Sequence, residues 1–124
     1  IGASCYDKDA QIIVVTGDGS LELNIQELKT VSQNNLNIKI FVINNGGYAS
    51  IRESQDEYSE GRYTEDEDIL DFSKVANAFE MNYEIIDDYL TIDEQINKIT
   101  SNSNPALIEV VCERDQKIFG PEVI

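Results

Sequence analysis

Residues 17–48, "GDGSLELNIQELKTVSQNNLNIKIFVINNGGY", carry two glycine-punctuated turns with one helical pattern and one apolar run between them. The run "QIIVVTG" at 11–17 is β-branched and closed by glycine, and "IKIFVI" at 38–43 is another, closed by "NNGG". Short runs of this kind read as strands, here expected to be buried on both faces. Between them Ser20 is placed to cap a helix with Leu21, Ile25, Leu28 and Val31 at near-helical spacing, ending around "QNNLN". A right-handed crossover makes the two strands parallel neighbours about 5 Å apart, so both turns emerge side by side at the carboxyl edge of one sheet. Open α/β sheets bind their ligands at that edge.

Working outward, the alternation continues. "DFSKVANAF" predicts a helix near 71–79, "YEIID" a strand near 83–87, "TIDEQINKITS" a helix near 91–101 and "ALIEVVC" a strand near 106–112. Strands and helices in this order predict an α/β fold: a doubly wound, Rossmann-like, mostly parallel sheet with helices on both faces, a three-layer sandwich. A chain of 124 residues is expected to form a single domain, residues 1–124. It opens "IGASCY", with neither methionine nor a helix start signal, as if excised from something longer. One segment breaks the pattern: "DEYSEGRYTEDED" at 56–68 holds seven acids and reads as a solvated loop, or as a lid ordered by ligand or partner.

Composition narrows the function classes. The net charge of −15 sets up a field that repels nucleic acid phosphates and anionic lipid, and no apolar run approaches the ~20 residues of a membrane span. Neither nucleic acid nor membrane is an expected partner. Cys5 and Cys112, the two cysteines, are expected to be buried reduced thiols in a cytoplasmic protein. The chain has no histidine, which excludes imidazole-based triads and histidine zinc sites.

The turns themselves have a chemistry. Asp18 lies between Gly17 and Gly19 just before a predicted helix start, where free backbone N–H groups favour an anion. A carboxylate there would repel that anion unless a divalent cation lies between them. Asp18 offers a charged oxygen, and Asn45 and the carbonyl of Gly47 offer neutral ones. Magnesium commonly takes a few protein oxygens and leaves the rest to phosphate and water. A dinucleotide fingerprint fails because Glu22 stands where the third glycine belongs, a P-loop fails for want of its lysine, and an EF-hand alignment would put Val14 and Ile25 at its ends.

"GDGS", followed after 24 intervening residues from Gly19 by "NN", resembles the cofactor motif of thiamine diphosphate enzymes. "GDGSLELNIQEL", "NNGGYASIRESQ" and "PALIEVV" are similar in particular to the C-terminal, diphosphate-binding domain of the acetolactate synthase and 2-oxo acid decarboxylase branch. The resemblance implies that Asp18, Asn45 and the Gly47 carbonyl hold Mg2+. It also implies that the amides of Gly19, Ser20, Gly47 and Tyr48 contact the diphosphate of thiamine diphosphate, with Gly17 keeping the turn tight. No residue of this chain is thereby assigned a catalytic role, since the glutamate that activates the cofactor belongs to a separate N-terminal pyrimidine-binding domain. Implied for the parent enzyme are decarboxylation or carboligation of a 2-oxo acid substrate and a homodimer or homotetramer.

Two other readings compete. One is a noncatalytic α/β interaction module that has lost cofactor use, for which substitutions at Asp18 or Asn45 would be expected. The other is a magnesium-dependent nucleotide site, which usually clusters two or three acids at strand ends, whereas Asp18 stands alone at its turn. Tyr48 is expected to pack against the sheet edge, Arg52 to pair with a nearby acid, Glu22 and Glu27 to face solvent or cap the first helix, and Cys112 to lie in the core.

Overall fold

The structure, a computed structural model, describes residues 1–63 and 69–114. After a short helix α1 (Gly2–Tyr6) come β1 (Ile12–Gly17), α2 (Asp18–Glu22), α3 (Glu27–Gln33), β2 (Ile38–Asn44) and α4 (Ala49–Tyr58). Then follow α5 (Phe72–Ala78), β3 (Asn82–Ile86), a 3-10 turn (Tyr89–Thr91), α6 (Ile92–Thr100) and β4 (Ala106–Val111). The four strands form one parallel sheet in the order β1-β2-β4-β3. Registers run from Ile12 opposite Ile38 to Gly17 opposite Ile43, and from Lys39 opposite Ala106 to Asn44 opposite Val111. The ends of β1 and β2 therefore share one edge, as the crossover argument requires.

Crossover handedness distributes the helices. The chain steps from β1 to β2 and on past the β4 position to β3, then returns one place to β4; a right-handed crossover puts the returning helix on the opposite face. On one face α2, α3 and α5 bring Leu21, Leu28, Val31, Phe72 and Ala76 against Ile38, Ile40, Val42 and Leu107. On the other, α6 lays Ile92, Ile96 and Ile99, at helical spacing, over Phe41, Ile86, Ala106 and Ile108. Each such side chain removed from water contributes about 1.5–3 kcal/mol. The α/β three-layer expectation is met.

Three details differ from the sequence reading. β1 is an edge strand buried on one face only: Ile12 and Val14 pack on the core, while Ile13 and Val15 are 49% and 67% exposed. The only helix packed on that face, among the described residues, is α6, which reaches β2, β4 and β3. The first helix is broken in two and starts at Asp18, so Ser20 lies inside α2 and makes no capping hydrogen bond. Bonds from Glu27 N to Asn24 O and from Leu28 N to Ile25 O bridge the break at three-residue spacing. The acidic segment is also not all loop, because α4 runs to Tyr58 and Arg62 folds back to pair with Asp56 at 2.6 Å. Residues 64–68 of that segment lie outside the described residues.

At the amino edge Lys39 is buried and donates to Asn104 O and Asn102 Oδ1, and burial pushes its ammonium pKa down. Cys5 is exposed rather than buried, because α1 buries only Ser4. Among the described residues no helix is long and apolar enough to cross a membrane.

Candidate functional site

The first turn begins where β1 stops pairing. Gly17 has an extended backbone and precedes α2, whose first residue is Asp18. The Asp18 side chain does not point to water: the residue is 2% exposed. Its Oδ1 accepts from Gly19 N at 2.8 Å, and its Oδ2 accepts from Gly47 N, also at 2.8 Å, 29 residues away in sequence. One carboxylate thus ties the two turns together across the sheet edge.

The second turn needs glycine on conformational grounds. Gly46 and Gly47 have φ of +78° and +97°, a region that L side chains enter at a cost. Asn44 closes β2 from within: its Nδ2 donates to Glu109 Oε1 at 2.6 Å and its Oδ1 accepts from Gly46 N at 3.3 Å. Glu109 also accepts from the Tyr83 hydroxyl at 2.5 Å, so a polar chain runs from β3 through β4 to the turn. Burial, and next the hydrogen bond to Glu109, push the Tyr83 hydroxyl pKa far up, keeping it the donor. The Gly47 carbonyl accepts from Ala49 N at 2.9 Å. The Asn45 carboxamide makes no hydrogen bond among the described residues and is half-buried.

Tyr48 bridges the turns from above. A Cβ placed on Gly19 would stand 2.7 Å from Tyr48 Cε1, so the ring lies directly on the Gly19 backbone. The expected contact with the sheet edge is in fact a contact with the first turn. Arg52 also departs from expectation. It is buried and donates to the backbone carbonyls of Asn45, Gly46 and Arg114, whereas an acid partner was predicted. Cys112 is half-buried just past β4, its amide bonded to Asn44 O at 2.8 Å, and its thiol pKa is raised by burial and by the charge of Asp18. It belongs to the edge of the site rather than the core.

Of the predicted site residues, the structure joins Asp18, Gly19, Gly47 and Tyr48 by direct contact, with Gly17 next to Asp18 in the chain and Asn45 two residues before Gly47. Ser20 stays exposed on α2. Asn44, Arg52, Glu109 and Tyr83 were not predicted. Glu109 is a lone acid in the apolar run "ALIEVV", a buried-polar signal that sequence alone could have flagged.

The donor set can be tested against a metal. Asp18 is a buried carboxylate that no lysine or arginine pairs among the described residues, and such a charge is costly unless a cation meets it. Among the described residues no group of three or more His, Cys, Asp or Glu could hold a metal. A cation here would rest on one carboxylate, neutral oxygens and its own ligand, which suits magnesium with a diphosphate.

An α/β domain whose parallel sheet ends in two glycine turns clasped over one buried carboxylate presents those turns at the strand ends, where open α/β sheets bind their ligands. The chain belongs to the family described as "Thiamine pyrophosphate enzyme, C-terminal TPP binding domain", whose profile matches residues 1–110. It is similar to an acetolactate synthase large subunit of Cyanidium caldarium, 30% identical over 96% of this chain and 21% of the relative. A mitochondrial acetolactate synthase catalytic subunit of Aspergillus candidus is 30% identical over 92% of the chain and 17% of the relative. The isozyme 1 large subunit of Escherichia coli (strain K12) is 28% identical over 96% and 22%. The chain therefore spans about a fifth of the length of these curated relatives.

Proposed function

We propose that this chain is the diphosphate-binding part of a longer, acetolactate synthase-like enzyme that decarboxylates or carboligates 2-oxo acids, using thiamine diphosphate held through magnesium. The observation that carries the reading is the Asp18 carboxylate, buried without a cationic partner among the described residues and bonded to Gly19 N and Gly47 N. Asp18, Asn45 and the Gly47 carbonyl would hold the cation and the amides of Ser20 and Tyr48 would face the diphosphate; those of Gly19 and Gly47, which here donate to Asp18, would reach it only by sharing or exchanging that bond. The bound cofactor supplies an electron sink for cleaving the bond to a carboxylate, a chemistry that the side chains of this domain do not offer.

What these residues do is bind and orient. Asp18 and the second turn set where the cation sits, Tyr48 keeps the turns in contact, and the polar chain from Tyr83 to Asn44 holds the turn's base. The activating glutamate would come from an N-terminal pyrimidine-binding domain, making a homodimer or homotetramer the expected assembly of a cytoplasmic parent protein. The test is calorimetric titration of the full-length protein with thiamine diphosphate, once with magnesium and once with chelator. Heat only with magnesium supports the bridged site; silence in both favours a noncatalytic module, and preference for a nucleotide overturns the cofactor assignment.

A further inference from the structure

Helix α4 is anchored by a charge. Arg52 is its one buried residue at 2% exposure, and α4 contributes no side chain to either core cluster. The guanidinium gives Nη1 to Gly46 O at 2.7 Å and Nη2 to Asn45 O at 2.9 Å and to Arg114 O at 2.7 Å. No carboxylate forms an ion pair with it among the described residues, although the chain carries 24 acids. Burying a guanidinium is unfavourable unless its donors are met, and here backbone carbonyls meet three of the five.

The geometry of those carbonyls is informative. In a trans peptide the C=O and N–H point in opposite directions within one plane. The unit joining Gly46 to Gly47 has its oxygen held by Arg52 and its N–H held by Asp18. The unit joining Asn45 to Gly46 has its oxygen held by Arg52 and its N–H held by Asn44 Oδ1. Both peptide planes of the turn are gripped at both ends. Glycine on either side of a peptide lets that plane rotate with little steric resistance, so the turn depends on these grips for its orientation.

We infer that Arg52 is a positioning residue that keeps the Gly46–Gly47 peptide from flipping, so that its N–H faces Asp18 and its carbonyl faces away. This rests on the function proposed above, since a flipped carbonyl would turn negative charge toward the carboxylate and spoil the cation and diphosphate site. The role lies in orientation, distinct from contact with the ligand. Lysine, a point charge without the planar fork, satisfies the same carbonyls only in part.

The experiment has two arms, both on the full-length protein with Arg52→Met and Arg52→Lys. Without cofactor, amide hydrogen exchange at Gly46 and Gly47 should rise about tenfold or more in Arg52→Met, the consequence of losing charge-assisted bonds to two turn carbonyls. Exchange at Phe41 and Ile108, in the inner strands, should stay unchanged. With magnesium, the affinity for thiamine diphosphate should fall by a similar factor, and Arg52→Lys should recover part of both losses. Unchanged exchange at Gly46 and Gly47, or a parallel loss at Phe41 and Ile108, would overturn the inference. Should Arg52→Met fail to fold, Arg52→Lys carries the same comparison. Failure of the unaltered protein to bind the cofactor would count against the proposed function alone, and the exchange arm would still decide the role of Arg52.

Discussion

Asp18→Asn separates a structural carboxylate from one that awaits a cation. In the parent chain both carboxylate oxygens accept a backbone N–H at 2.8 Å. A carboxamide has one oxygen, so in either orientation its NH2 group faces one of those N–H donors. One buried N–H then lacks an acceptor, at about 1–3 kcal/mol. Against this, the substitution removes a buried charge with no cationic partner among the described residues, which offsets that loss in the absence of metal. The two effects oppose each other at similar size, so in chelator the variant should melt within a few degrees of the parent protein, or above it. With magnesium and thiamine diphosphate at about 100 times the dissociation constant, the parent should gain about 2.7 kcal/mol. For a cooperative unit of about 150–250 residues, at ~2–4 °C per kcal/mol, that is an upward shift of roughly 5–11 °C, and less for a larger unit. The variant should show none of it. A thermal-shift series on the full-length protein reads both conditions. A variant with the full cofactor-dependent shift, or one that collapses in chelator, would refute the reasoning.

The remaining predictions concern packing and pH. Gly19→Ala places a methyl 2.7 Å from the Tyr48 ring, a clash of the kind that costs about 1–3 kcal/mol, and should weaken cofactor binding; adding Tyr48→Ala should relieve much of the stability loss. Additive effects of the two changes in urea unfolding would show that the ring does not rest on this turn. Asp71 caps α5, accepting from Lys74 N, Ser73 Oγ and Lys74 Nζ, and these bonds, Ser73 first, hold its carboxyl far below the ordinary 3.8. A depressed pKa contributes stability above the unfolded value that is lost as pH falls toward the folded one. Asp71→Ala should therefore lower the melting temperature at pH 7, and the gap should close on acidification below pH 4; a gap independent of pH would contradict the linkage.

Much of this architecture is legible because local and global signals agree. The β-branched runs at 11–17 and 38–43 and the isoleucines of α6 each have one stable arrangement on a parallel sheet, and the observed strands Ile12–Gly17 and Ile38–Asn44 differ from them by one residue at an end. The edge position of β1 was not legible, because Ile13 and Val15 are as apolar as Ile12 and Val14; exposure there depends on which helices reach that face. The position of the first helix start depended on competing signals. Ser20 is a good cap by composition, yet the helical turn begins two residues earlier, where Asp18 engages the amides of both turns. Of the candidate site, Asp18, Asn45 and Gly47 could be picked out from the two turns themselves, and Gly19, Ser20 and Tyr48 through the family resemblance. Those that hold the second turn could not: Arg52 and Glu109 act across 6 and 65 residues of sequence, on Gly46 and Asn44 respectively.

The charge of the chain makes the second turn's construction intelligible. A protein at −15 that is to hold a diphosphate cannot rely on a basic patch, since a surface lysine among so many acids would be neutralised by neighbours. The proposed site would avoid that problem by taking its donors from the backbone, which no pH change or nearby acid can titrate away. Backbone donors have a weakness of their own: in a glycine turn nothing intrinsic fixes their direction. Direction is supplied instead by side chains that hold the turn's peptides at both ends, with Arg52 on the carbonyl side and Asn44 and Asp18 on the amide side. Arg52 can do this because it is buried and forms no close ion pair among the described residues, so its donors go to the backbone carbonyls of the turn. The acidic surface and the buried arginine are thus compatible parts of one solution, in which burial keeps the single useful charge directed at the backbone it orients.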